Sequence, residues 1–278
     1  MAEIKLIALD LDGTLLDSQK RLSSRNERAL KECIRRGIAV VPCTGRIWFA
    51  VPEVVRSIPG IRYAITTNGA VIEDVAEKKI LDERKMSCKL TMEILELGKQ
   101  FHTMYDVYAA GLAFGETRFL EHMELYGISP LIQKMIRETR QSVPDVIAQV
   151  KELDQPAEKV NYFFADEQER SRARKALLAR GDVIVSSSLP NNLEINALGA
   201  TKGEAILRLA AHLGLAPDQT MGFGDGENDV NMIQLAGIGV VMGNALESLK
   251  EHADYITCTN DEDGVADAIE KLVLTEKE

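Results

Sequence analysis

One stretch constrains this chain more than any other: Ile4-Lys5-Leu6-Ile7-Ala8-Leu9-Asp10-Leu11-Asp12-Gly13-Thr14. Its apolar run, broken only by Lys5, reads as a strand buried on both faces, the pattern of a parallel sheet covered by helices. The run stops at two carboxylates one residue apart, followed by Gly and Thr. In open α/β sheets ligands bind beyond the C-terminal ends of the strands, so Asp10 and Asp12 stand where chemistry is usually found. Side chains two apart on an extended chain point the same way, so both carboxylates can address one site. An Asp-rich turn has the same composition for purely local reasons. The rest of the chain decides between these readings.

The same grammar recurs downstream. Ser24-Arg25-Asn26-Glu27 resembles a capping box that opens a helix ending at Gly37. A second apolar run, 38–44, ends in Thr44-Gly45-Arg46, and a short helix carrying Trp48 and Phe49 is expected next. A third strand, Tyr63 to Thr67, closes in Asn68-Gly69-Ala70. Alternating strands and helices at this spacing imply βαβ units and a parallel sheet. The rhythm breaks at about residues 80–90. A helix over 88–104, strands at 106–110, 160–165 and 182–186, and a charged helix at 167–180 read as a separate α+β module. From Leu193 the α/β pattern returns. Lys202 opens a helix, Met221 to Asp225 forms a strand followed by Gly226-Glu227-Asn228-Asp229, and 238–242, 246–253 and 264–274 complete the core. The expected architecture is α/β: a doubly wound, mainly parallel Rossmann-like sheet in 1–83 and 194–278, with an α+β cap domain inserted at 84–193.

Bulk properties exclude several partners. No apolar run approaches the ~20 residues that span a bilayer. The N-terminus lacks the basic-then-apolar pattern of a secretory leader, so a cytoplasmic location is expected. The formal net charge of −10 argues against nucleic acid, whose phosphates are held by basic surfaces. Cys33, Cys43, Cys88 and Cys258 lack metal-like spacing and read as reduced and mostly buried. Nothing in the chain specifies an oligomeric state.

Three apolar strands thus end in polar residues, Asp10 with Asp12, Thr44, and Asp225, while Lys202 starts a helix. Parallel strands bring such ends to one sheet edge. Three carboxylates there repel one another unless a cation compensates, and an oxygen-only donor set suits the hard cation Mg²⁺. A hydroxyl, a lysine and backbone amides beside it make a receptor for a phosphoryl group. A carboxylate can then attack phosphorus.

Taken in order, these motifs resemble the haloacid dehalogenase superfamily, with its D-x-D-G-T, its strand-end Thr or Ser, its Lys and its G-D-x-x-N-D. About 30 residues separate Thr14 from Thr44, too few for a cap, whereas Thr44 to Lys202 has room for a domain. That layout resembles the Cof-like subfamily of sugar and small-metabolite phosphatases. The resemblance implies a Mg²⁺-dependent phosphatase acting on a small phosphorylated metabolite. It implies Asp10 as nucleophile and metal ligand, and Asp12 as general acid and base with its backbone carbonyl on the metal. Asp225 would complete the metal site. Leu11, Thr44, Gly45, Lys202 and Asn228 would hold the phosphoryl group, and Asp229 would stand behind the metal ligands, orienting metal-bound water.

Other candidates read as structural. Arg46 is expected to face solvent. His102, His122, His212 and His252 are dispersed without ligand spacing. Tyr105, Tyr108 and Phe114 are read as cap core before they are read as pocket walls. Two further functions stay open at this point: a sugar phosphomutase on the same fold, and a non-catalytic phospho-ligand sensor. The intact Asp10/Asp12 pair weighs against the sensor, because binding alone needs no acid/base carboxyl.

Overall fold

In the computed structural model, which describes residues 2–275, the first strand, β1 (Leu6–Leu9), is buried at every position. Leu6 and Ala8 pack with Ile206, Leu209 and Met232, whereas Ile7 and Leu9 pack with Leu30, Phe223 and Val265. An apolar face on each side is what a sheet sandwiched between helices demands. Each such fully buried Leu or Ile contributes roughly 1.5–3 kcal/mol.

Four strands follow β1 before residue 84: β2 (Ala39–Pro42), β3 (Tyr63–Thr66), β4 (Val71–Asp74) and β5 (Lys79–Glu83). The middle of the chain gives β6 (Met104–Ala109), β7 (Leu112–Glu116), β8 (Gln141–Val143), β9 (Ala157–Phe163), β10 (Val183–Ser186) and β11 (Asn192–Ala197). The last segment adds β12 (Thr220–Gly224), β13 (Ile238–Val241) and β14 (Tyr255–Ile256). Two compact units result, one from the residues up to Glu83 together with those from Thr201 onward, the other Arg84–Ala200.

The first unit holds a sheet of order β14-β13-β12-β1-β2, parallel throughout. The chain winds outward from β1 through β2 in one direction and from β12 through β13 in the other. The crevice between β1 and β12 is therefore the topological switch point, the usual ligand position of such sheets. β3 follows β2 through a single parallel bridge, Cys43 with Ile65. It is otherwise the first strand of an antiparallel meander with β4 and β5, a feature the sequence reading did not contain. The helix Ser24–Arg35 is capped by Ser23, whose hydroxyl accepts the Asn26 amide at 3.0 Å, one residue before the expected box.

The second unit is a six-stranded sheet, β10-β11-β9-β6-β7-β8, antiparallel except between β7 and β8. Tyr105, Val107, Val160, Tyr162, Leu193 and Ile195 on one face form a core with residues of the helices Cys88–Gly98, Val146–Leu153 and Glu167–Leu178. The alternate residues Asp106, Tyr108, Lys159, Asn161 and Glu194 are polar and also buried. One expectation is corrected here. Leu193 to Ala197, assigned to the parallel core, pairs antiparallel with β9 and β10. Its alternation of apolar and polar residues is that of a strand with one apolar face, not the continuous apolar run of a parallel core strand.

Candidate active site

The loop after β1 is built rigidly. Leu15 and Leu16 donate their amides back to the carbonyls of Asp10 and Leu11, closing a tight turn. Asn26, Asn244 and Asn260 donate side-chain amides to the carbonyls of Leu15, Gly13 and Leu16. Asp10, the residue after β1, is buried, and its carboxylate Oδ1 accepts from Lys202 Nζ at 2.6 Å. Lys202 is fully buried at the first turn of the helix Lys202–His212, whose N-cap is Thr201. Its second partner is Asp229 Oδ1, also at 2.6 Å. Asp229 turns its other oxygen to the amides of Asp225 and Gly226, both at 3.0 Å. Asp225 follows β12 and accepts the Thr14 hydroxyl at 2.7 Å.

Oxygens of Asp10, Asp225 and Asp229 all lie within 4.8 Å of one another. Burial pushes Asp10 well above the usual carboxylate range, opposed by Lys202 and reinforced by Asp229, Asp225 and Asp12. Burial and the Asp229 charge lift Asp225 to about 6, against the Thr14 hydroxyl and Lys202. Burial alone would lower Lys202, but Asp10 and Asp229 more than reverse it, so the ammonium stays charged. One lysine against three crowded carboxylates leaves an excess of negative charge, and the all-oxygen donor set fits a hard divalent cation. Asp229, expected behind the ligands, has a carboxylate oxygen within this cluster; Asp12, expected to reach a metal through its backbone carbonyl, turns its side chain elsewhere.

Asp12 is gripped by two cations. Arg46 donates Nε to Oδ2 at 2.7 Å and Nη2 to Oδ1 at 2.8 Å, and Lys20 Nζ reaches Oδ1 at 2.8 Å. Burial opposes ionisation of Asp12, but these contacts outweigh it and hold the acid at about 2. Arg46 was expected in solvent; its side chain is only 16% exposed. The signal was available in Thr44-Gly45-Arg46, because an arginine just past a buried strand end is in reach of a neighbouring strand's carboxylate.

Thr44 is buried after β2, its amide held by Ile65 O at 2.9 Å and its hydroxyl accepting the Arg46 amide at 3.3 Å. Asn228 donates to Asn68 Oδ1 at 3.3 Å, which brings the end of β3 to this edge. Asn68 was read only as a turn residue; it and Thr67 hold left-handed backbone, with φ of 60° and 47°. Such conformations in non-glycine residues concentrate at functional sites. The histidines take no part in the carboxylate cluster. In the second unit, Tyr105 lines a cavity of about 570 Å³ with Arg118 and Tyr126. Phe114 belongs to the apolar core, and Tyr108 lies under Arg140 and Lys159, at 5.0 and 4.7 Å from its ring centroid. Of the cysteines, expected to be mostly buried, Cys33 and Cys43 are buried, Cys88 is half-buried and Cys258 is exposed.

Known proteins resemble this chain over nearly its whole length. The family description of haloacid dehalogenase-like hydrolases matches residues 7–269. Phosphatase YwpJ of Bacillus subtilis (strain 168) is 33% identical over 97% of this chain and 100% of its own length. The 5-amino-6-(5-phospho-D-ribitylamino)uracil phosphatase YcsE of the same organism is 31% identical over 98% of this chain and 97% of its own. The structure of a haloacid dehalogenase-like hydrolase from B. subtilis superposes with a TM-score of 0.86 at 31% identity, covering 97% of this chain and all of the other. One from Bacteroides thetaiotaomicron gives 0.80 at 30%, with coverage of 97% and 100%. The chain belongs to the haloacid dehalogenase-like hydrolases.

Proposed function

We propose that this hydrolase cleaves small phosphomonoesters in a Mg²⁺-dependent reaction, through a phosphoryl group carried transiently on Asp10. The observation that carries the reading is the Asp10 carboxylate itself. It is buried at the switch-point edge, held by Lys202, and clustered with Asp225 and Asp229. The named activities of YwpJ and YcsE support the phosphatase class, and the second points to a phosphorylated small metabolite as substrate. All four cysteines are free, which supports a reducing compartment such as the cytoplasm.

The residues divide the work as follows. Asp10 attacks phosphorus while Asp12 gives a proton to the departing alcohol oxygen; Asp12 then takes a proton from the water that releases phosphate from Asp10. Lys202, Thr44 and Asn228, with the amides of Leu11 and Gly45, hold the phosphoryl oxygens. Asp10, Asp225 and the backbone carbonyl of Asp12 would hold the cation, with Asp229 positioned to take part. When bound, that cation neutralises the crowded carboxylates and draws charge from the phosphoryl oxygens. Residues 84–200 would supply discrimination among leaving groups.

The test is hydrolysis of a panel of sugar and metabolite phosphates, with and without Mg²⁺, by the native protein and by Asp10→Asn. Asp10→Asn is expected to fold normally and lose essentially all turnover. Uncatalysed phosphate-monoester hydrolysis is slower by up to about 10²¹-fold, so no background reaction obscures the loss. Substantial hydrolysis by Asp10→Asn, or full activity in excess chelator, would overturn the reading.

A further inference from the structure

The turn after β3 is tied to more of the site than its place in the sequence suggests. Left-handed backbone runs through consecutive residues, with φ of 47° at Thr67, 60° at Asn68 and 94° at Gly69. For Thr67, fully buried and β-branched, that conformation is strained. Such a run persists only where its surroundings fix it, and here the surroundings are segments of the site. The Thr67 amide donates to Arg46 O at 2.9 Å, and the Asn68 amide to Thr44 O at 3.0 Å. Gly69 passes so close to the N-cap of the Lys202–His212 helix that a Cβ would lie 2.3 Å from Thr201 O. Arg208 of that helix donates Nη2 to Gly69 O at 2.8 Å. Asn228 donates Nδ2 to Asn68 Oδ1 at 3.3 Å. The turn therefore touches the segments that carry Thr44, Lys202 and Asn228.

The last of these contacts has a chemical consequence. A side-chain amide carries an acceptor oxygen and a nitrogen with two N–H donors, and only the nitrogen end attracts a phosphoryl oxygen. Unheld, the Asn228 amide could present either end. Asn68 is buried, whereas Asn228 is half-buried, so Asn68 acts through its neighbour and not by reaching a ligand itself. Asn is also among the few residue types that tolerate left-handed backbone, so one residue suits both the turn and the contact.

We propose that Asn68 is a positioning residue for phosphate binding: its side-chain oxygen holds one N–H of Asn228 and leaves the other for a phosphoryl oxygen. The inference rests on the phosphatase reading, which gives Asn228 its place among the phosphate-binding groups.

The experiment measures kcat and KM for p-nitrophenyl phosphate, and the inhibition constant of inorganic phosphate, in the Mg²⁺-loaded full chain. Asn228→Ala should raise the inhibition constant by about tenfold or more, the scale of a hydrogen bond to a charged group. Asn68→Gly keeps the left-handed backbone and removes the side chain. It should raise the inhibition constant and KM together by about three- to tenfold, the scale of one hydrogen bond, with kcat moving less. A merely structural role would reduce the folded fraction, and so the apparent kcat, without moving either constant. The double variant should be no worse than Asn228→Ala alone, because the two residues act as a unit. Should Asn68→Gly not fold, the amide NMR spectrum of the native protein decides. Inorganic phosphate should shift one Nδ2 proton of Asn228, identified by its loss in Asn228→Ala, and leave the proton held by Asn68 in place. Unchanged constants in Asn68→Gly, losses that multiply in the double variant, or movement of both protons or of neither would each overturn the positioning role. A native protein that does not hydrolyse p-nitrophenyl phosphate would instead refute the phosphatase reading.

Discussion

Gly13 has no side chain because Asp225 occupies the place where one would be. Its φ is +95°, and a Cβ there would lie 2.4 Å from Asp225 Oδ2. The glycine of Asp-x-Asp-Gly-Thr is thus read twice, once by the backbone turn and once by the approach of a carboxylate from β12. Gly13→Ala should displace Asp225, lower stability by about 1–3 kcal/mol and raise the Mg²⁺ concentration needed for activity by about tenfold or more. Thermal melting and a Mg²⁺ titration of activity check both effects. The same carboxylate makes a pH signature. Raised from its ordinary value near 4 to about 6, Asp225 binds more protons folded than unfolded in that interval. Its contribution to stability therefore falls as pH rises from about 4 to 6 in the metal-free protein. A cation needs the deprotonated form, so the gain in melting temperature from Mg²⁺ should be small at about pH 5 and larger at about pH 7. An equal gain at both would show that the cation binds away from these carboxylates.

At the level of elements, β6, β7, β9 and β11 carry one apolar face and one buried polar face, and the proposed discrimination among substrates is tested on the second. Phe114 on β7 packs with the helices, so Phe114→Ala should cost about 3–5 kcal/mol and lower the melting temperature. Tyr108 on β6 lies on the polar side, with Asp106 bonded to Arg140 at 2.9 Å and to Asn161 at 2.7 Å, and Lys159 bonded to Glu194 at 2.8 Å. Tyr108→Ala should reorder kcat/KM among phosphate esters, whereas Lys202→Ala should depress all of them. A Tyr108 variant with every ratio unchanged would remove this face from the specificity argument. The two faces were not legible beforehand, because aromatics at alternate positions look alike until a strand's neighbours are known. Boundaries failed for a related reason. β11 was given to the wrong unit because a short run such as Leu193-Glu-Ile-Asn carries no mark of whether its partners are parallel or antiparallel.

For the molecule as a whole, the parallel sheet and the gathering of Asp10, Thr44 and Asp225 at the ends of its strands were legible, since buried strands that end in Asp or Thr leave few placements for those residues. What stayed hidden was the partner of each charge. The bonds of Lys202 to Asp10 and Asp229 were not read from the sequence, and Arg46 was assigned to solvent, yet it holds Asp12. Pairings between residues 27, 34 and 192 positions apart depend on side-chain reach, which no local pattern encodes. Separation along the chain also shapes how the protein is born. β1 lies between β2 and β12, with Leu6 opposite Thr220. At about 5–20 residues per second of synthesis, one edge of this apolar strand waits unpaired for roughly 10–40 s on the ribosome. During that wait Leu6–Leu9 is an open template for a neighbouring nascent chain, while β6–β11, contiguous in sequence, can already close. A chain stalled before Thr220 should therefore recruit holdase chaperones, and one stalled with Ile256 well clear of the exit tunnel should release them.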